Sequence, residues 1–412
     1  MVIDELLKDK QIRRLLLDDN NNFSLVEGSS LSYFYERLKE SSASFEKVVF
    51  HQKEHNVTAK ERKMITDYSS KYLPRIYLNA ILREKKYTLI QFHIKERQFN
   101  LYLYKVENMS QEELTTFLKA VWMWLYIIST TPEITCVKEL NLIFAFLPDK
   151  KIFNTNEEKP DAEFDTHHVN SALTMVCQPI NKILIYRKEE CFKVFLHETF
   201  HCFGLDFSAK NNAHIHAEIS RLFNLDKSIR FGVYESYTEF WGEILNMIFN
   251  AYFISDDFYS FSLFFEKILN VEQRFSQIQV AKILLLTNKN NKNDIYDLTN
   301  LRQKTHVFEY YILKCVLLLN ADAFFGWCIQ NNPLFFKMND SYVFLSFIQK
   351  YFNKNNKNII EKIISKKDID FVEKLLFSEK ERKEEKEEKE RKEEKERNIL
   401  RNTMRMTIVD LI

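Results

Sequence analysis

The sequence predicts an α+β fold, predominantly helical, with a small mixed β-sheet. Three observations predict it. Glycine (5) and proline (6) are scarce among 412 residues, so few backbone breakers interrupt long helices. Several long segments carry apolar residues at helical spacing. A few short runs alternate in polarity or are wholly apolar, as strands do.

Residues 1–45 read as an N-terminal helical segment, broken near NNNFS and GSS. An α/β region follows over 46–160. There YTLIQFHI and FNLYLYKV, separated by KERQ, alternate like the arms of a hairpin. SQEELTTFLKAVWMWLYIIST opens on Ser110 with Glu113 three residues on, a capping box ahead of an apolar-periodic helix. ELNLIFAFLP (139–148) is a buried-strand pattern ended by Pro148, and the polar loop KIFNTNEEKPDAEFDTHH follows. Over 161–256, HVNSALTMV and KILIYR read as strands, and KEECFKVFLHETFHCFG as a helix. VYESYTEFWGEILNMIFNAYF reads as a second, longer helix. Residues 257–376 are patterned as helix throughout, with THVFEYYILKCVLLL the most apolar stretch. Residues 377–412 read as a charged helical or disordered tail, where pairs such as Glu385–Lys389 lie one helical turn apart.

Composition narrows the partners. A formal net charge of +1 gives no electrostatic reason to expect nucleic acid or a membrane surface. No apolar run reaches the length of a membrane span. Six cysteines (136, 177, 191, 202, 315 and 328) show no C-x-x-C spacing, and MVIDELLKDKQIRR is charged from the start. The expectation is therefore reduced thiols in an intracellular, cytoplasmic protein that is not secreted. The charged tail is a candidate docking segment for a protein partner.

Chemistry concentrates in HETFHCFGLDFS, residues 197–208. On a helix, His197 and His201 project from one face four residues apart and can chelate one ion. Glu198 then stands beside that ion as a general base. FHCFGLDFS resembles the metzincin pattern, yet Phe207 stands where that pattern needs a third histidine, and a phenyl ring has no lone pair for a metal. The missing ligand has its best source in YESYTEFWGE (234–243), which carries Glu235 and Glu239 one turn apart amid aromatic bulk. Spacing alone leaves either carboxylate as the ligand. Three of the five glycines, Gly204, Gly232 and Gly242, fall in this region, as expected where backbone shape or close helix contact demands them. His214 and His216 are weaker competitors for a ligand role, because an i, i+2 pair does not share a helix face. His167 and His168 read as loop residues.

The HExxH motif followed by Glu235-Ser-Tyr-Thr-Glu239 resembles the gluzincin branch of the zincin metallopeptidases. That resemblance implies a zincin-like core over about 165–255, a small mixed sheet beside two zinc-binding helices. It implies one Zn²⁺ on His197, His201 and Glu235, with Glu239 bonded to a zinc histidine from behind. It further implies an edge strand for an extended peptide substrate, here VNSALTM with Asn170 and Ala172. A later Tyr or His that polarises the scissile carbonyl is also implied, here Tyr310 or His306. The run from VNSALT to YESYTEFW is also similar to uncharacterised metallopeptidase-like proteins of giant DNA viruses, which would place the protein in host cytoplasm or a virion. The expected activity is zinc-dependent hydrolysis of a peptide or protein, with Glu198 as base. The alternative is a catalytically inactive zincin-fold protein with a structural or interaction role.

Overall fold

The computed structural model describes residues 12–13, 16–17, 28–67, 72–131, 134–153, 163–288, 294–332, 334–338, 340–352, 359–377 and 397–411. Six strands form one mixed sheet: β1 (Lys53–Asn56), β2 (Lys86–Ile94), β3 (Arg97–Leu103), β4 (Glu139–Leu147), β5 (Ala172–Thr174) and β6 (Ile180–Arg187). Their spatial order is β1-β2-β3-β4-β6-β5. The β3–β4 and β4–β6 pairs are parallel and the rest antiparallel. The alternating runs make the β2–β3 hairpin, with Phe92 opposite Phe99. Between β3 and β4 the chain crosses over through helix α1 (Gln111–Ser129), whose Ser110/Glu113 capping box is formed.

The sheet's pleat divides its side chains between two layers. Phe99, Leu101, Leu140, Leu142, Phe144, Ile183 and Ile185 face the main helical core. Ile143, Leu184 and Tyr186 face a smaller cluster with Tyr77 and Ile81 from helix Arg75–Leu82. Three long helices build the main layer beside the sheet: α2 (Cys191–Phe203), α3 (Val233–Phe253) and α4 (Phe258–Thr287). The α+β, mainly helical class with a small mixed sheet is what the sequence predicts. Among the described residues, no single helix is long and apolar enough to cross a membrane.

Several expectations need correction. The sheet runs across the boundary drawn at 160/161, because β4 pairs with β6, and one apolar core joins residues of all the predicted regions. HVNSALTMV is not one strand: Thr166–Val169 is a helical turn, and only Ala172–Thr174 pairs with β6. Residues 397–411 are not part of a solvated tail, since Leu400, Met404, Arg405, Thr407 and Ile408 are buried; residues 378–396 lie outside the described ones. Cys136 and Cys177 form a disulfide, which corrects the expectation of six reduced thiols, whereas the other four are buried free thiols. The pair is 41 residues apart in sequence and unreadable from spacing. Both cysteines pack against Gly204 at the end of α2, where the Cys177 amide donates to the His201 carbonyl.

Candidate metal centre

Helix α2 exists because its apolar positions fit a deep site, and all thirteen of its residues are buried. Glu190 precedes it in a left-handed conformation, and Gly204 ends it at φ +62°, a value glycine adopts without strain. Within the motif, Thr199 and Phe200 face the core. The Trp124 indole donates to Thr199 Oγ1 (2.8 Å), and Phe200 stacks between Trp124 and Trp241. That anchorage turns His197 and His201 to the opposite face, toward α3. A Cβ on Gly242 would stand 3.3 Å from the His197 Cβ, so the glycine permits α3 to approach this closely.

Three atoms converge. His197 Nε2 lies 3.3 Å from His201 Nε2, and Glu235 Oε2 lies 3.3 Å from the first and 3.4 Å from the second. Among the described residues this is the group with metal-ligand character, and it is buried. Glu239 Oε2 stands 2.9 Å from His197 Nδ1, and an Asp206 carboxylate oxygen contacts His201 Nδ1. With a carboxylate beside each Nδ1, a neutral ring keeps its proton on that nitrogen and turns a lone pair on Nε2 into the pocket. Two imidazole lone pairs and a carboxylate facing one another is a repulsive arrangement without a cation. Donors about 2.05 Å from a tetrahedral ion stand roughly 3.3–3.4 Å apart, so the triangle fits one such ion.

Carboxylates dominate the electrostatics around the two rings. Burial opposes a charged His201, yet Glu235 and Asp206 hold its pKa well above the ordinary imidazole value. Burial likewise opposes ionisation of Glu235, but His201 and His306 keep its carboxyl well below the usual range. Glu198 follows His197 on the helix, and burial pushes its carboxyl up against the opposing pull of His197 and His201. Its carboxylate has no protein hydrogen-bond partner among the described residues.

Tyr310 and His306 both reach this pocket. The Tyr310 hydroxyl donates to Glu235 Oε2 (3.0 Å), and His306 Nε2 lies 4.0 Å from Glu235 Oε1. Tyr310 sits in a short π-helical turn, Phe308–Leu313, a rare form frequent at functional sites. His306 is oriented by Glu309 (Nδ1 to Oε1, 2.7 Å), which also accepts from the Gly232 amide at the start of α3. Asn170 Oδ1 accepts from Thr305, so the segment before β5 is tied to the residue beside His306. Ala172 pairs with Ile185, and β5 is the outer strand of the sheet.

The remaining histidines lie elsewhere. His214 stacks on Tyr342, His216 packs by Phe231, and the Asp165 amide donates to His168 Nδ1. His167 packs against His168 with its ring tilted by 45°. Phe207 fills core space against Tyr237 and Phe344. Sequence reasoning missed the roles of Asp206, Lys193 and Glu309. Asp206 was visible five residues after His201, past a glycine turn, but nothing local shows that the turn brings it back to the ring. A polar hollow of about 470 Å³ lies on the far face of the sheet, lined by Gln91, Asn100, Asn141 and Lys182 among others, and shares no residue with the metal centre.

No family model and no solved structure matches the chain. It is similar to the uncharacterized protein R210 of Acanthamoeba polyphaga mimivirus, 30% identical over 154 residues. That stretch covers 34% of this chain and 37% of the relative, so the chain spans little more than a third of the relative's length. The likeness supports a giant-virus relation.

Proposed function

We propose that the chain is a zinc-dependent peptidase of zincin type. One observation carries the reading: two imidazole Nε2 atoms and one Glu235 oxygen meet in a buried triangle of 3.3–3.4 Å, with a glutamate directly after the first histidine. Imidazole and carboxylate donors at this spacing suit Zn²⁺. When bound, the ion supplies Lewis acidity toward a water and toward a scissile carbonyl. Glu198 takes the proton from the attacking water and returns it to the leaving amine. Glu239 and Asp206 hold the proton on each Nδ1, so that both rings present Nε2 to the ion. The Tyr310 hydroxyl swings from Glu235 to the carbonyl oxygen as negative charge develops there. An extended substrate adds to the free edge of β5, its main chain hydrogen-bonded as a further strand.

Metal content and cleavage of a peptide library test this. Wild type should bind one zinc, and His201→Ala should bind none. Glu198→Gln should keep zinc while turnover falls about 10²-fold or more, since only the base is removed. Equal turnover of zinc-loaded Glu198→Gln and wild type would sink the enzyme and favour the inactive, structural alternative.

A further inference from the structure

The last described residues behave like a bound peptide. Following 19 consecutive charged residues (379–397), the chain runs through the protein's interior. Leu400, Met404, Arg405, Met406, Thr407, Ile408 and Val409 are all buried, yet 404–411 form neither helix nor sheet. Buried backbone without a ladder must find its hydrogen bonds elsewhere. Here side chains supply them. Lys282 donates to the Leu400 and Thr403 carbonyls, Gln279 to those of Thr403 and Arg405, and Tyr311 to that of Met404. Glu190 Oε1 accepts the Met406 and Thr407 amides, both at 2.8 Å. Glu272 accepts those of Ile408 and Val409, and Asn246 donates to the Val409 carbonyl.

This channel touches the rear of the metal centre. Glu190 immediately precedes α2. Lys193 Nζ lies 3.3 Å from Met406 Sδ and 2.5 Å from Glu239 Oε1. Glu239 in turn stands 2.9 Å from His197 Nδ1. Emptying the channel would leave Glu190, Glu272 and Lys282 buried without the partners named above, so it must flood or collapse when the segment leaves.

We propose that residues 399–411 are an in-chain strap: an extended segment docked in a side-chain-lined peptide channel behind the metal centre, which positions His197 through Met406, Lys193 and Glu239. The inference rests on the metal-centre reading. Strap docking and metal binding then stabilise each other, because both require the same placement of Lys193 and Glu239. Lys193 and Glu239 act as positioning residues.

The full chain carrying one specific protease site at residues 385–391 provides the test. After cleavage, native mass spectrometry should find the C-terminal fragment still bound 1:1, with zinc affinity unchanged. Stripping the fragment should weaken zinc binding about 10-fold or more, the usual effect of losing support behind a ligand. A synthetic peptide of residues 398–412 should restore it. In the uncut chain, Glu272→Gln loosens the strap without touching a ligand and should also weaken zinc binding. Loss of the fragment at cleavage overturns the strap, and unchanged zinc affinity in both the stripped protein and Glu272→Gln overturns the coupling. Fragment retention is read without metal, so failure of the zinc reading itself shows separately as a wild type that binds no zinc but keeps the fragment.

Discussion

Helix α3 presents acids on three successive turns, and their surroundings differ along its length. Glu235 meets only imidazoles and a phenol, from His197, His201, His306 and Tyr310. Glu239 and Glu243 each meet a lysine, Lys193 at 2.5 Å and Lys314 at 2.7 Å. The rear of the centre continues in the same way, with Glu190 on Lys151 and with Glu189 and Asp410 on Arg405. At the front, no lysine or arginine among the described residues pairs with Glu198, Glu235 or Asp206. The contrast is informative because all these acids except the half-buried Asp410 are buried. Buried carboxylates persist where a cation balances them. The chain supplies lysines and an arginine at the rear, whereas at the front the described residues offer Glu235 only imidazoles and a phenol.

The largest effect that would break this comparison comes from removing a rear cation. Lys314→Met strands Glu243, a fully buried carboxyl whose ammonium partner stands at 2.7 Å. Urea unfolding should show a loss of roughly 3–5 kcal/mol, as for other broken buried pairs. Zinc stoichiometry should remain one. A loss of zinc without a loss of stability would mean that front and rear are not separate systems.

Lys282 sharpens the comparison as a rear cation that binds carbonyls in place of an acid. Burial drives its pKa down to about 7, against 10.5 when unfolded. The folded state therefore binds fewer protons than the unfolded one between these values. Stability should rise with pH across that window and be lost again as pH falls through about 7, by at most about 5 kcal/mol at 1.36 kcal/mol per pKa unit. The measurement is the difference in urea midpoint between wild type and Lys282→Met from pH 7 to 10, which cancels other titrating groups. A pH-independent difference would show that the amine is charged throughout.

At the front, Asp206→Ala should weaken zinc about 10–100-fold by freeing the His201 ring, with one site still filled at saturating metal. Isothermal titration with a competing chelator measures this. Unchanged affinity would mean that core packing alone orients the ring. The smallest expected effect belongs to Gly242→Ala, whose methyl would press on His197 at 3.3 Å. It should cost about 1 kcal/mol, the low end for overpacking, with a few-fold loss of zinc affinity. Gly326→Ala is the control, because its Cβ would meet nothing within 4 Å in a helix, where alanine stabilises by about 0.5–1 kcal/mol. If the two substitutions behave alike, close approach at Gly242 is not what sets the centre.

What the sequence determined by itself was local. Helical period sets α2 and α3, alternation sets the β2–β3 hairpin, and Ser110 with Glu113 sets the start of α1. The four-residue spacing of His197 and His201 puts both rings on one face. These features depend on neighbours within a turn or two, so they are written in the text. Tertiary structure alone decided which of Glu235 and Glu239 joins the histidines, since both lie on the same face of one helix. Glu235 lies 3.3–3.4 Å from both Nε2 atoms, whereas Glu239 faces His197 Nδ1 and Lys193. Tertiary structure also decided that Asp206 folds back on His201, that Cys136 meets Cys177, and that residues 399–411 enter the core. Each of these joins groups whose separation in sequence carries no period. Their meeting is settled by the packing of whole elements and by the need to give every buried charge and backbone group a partner.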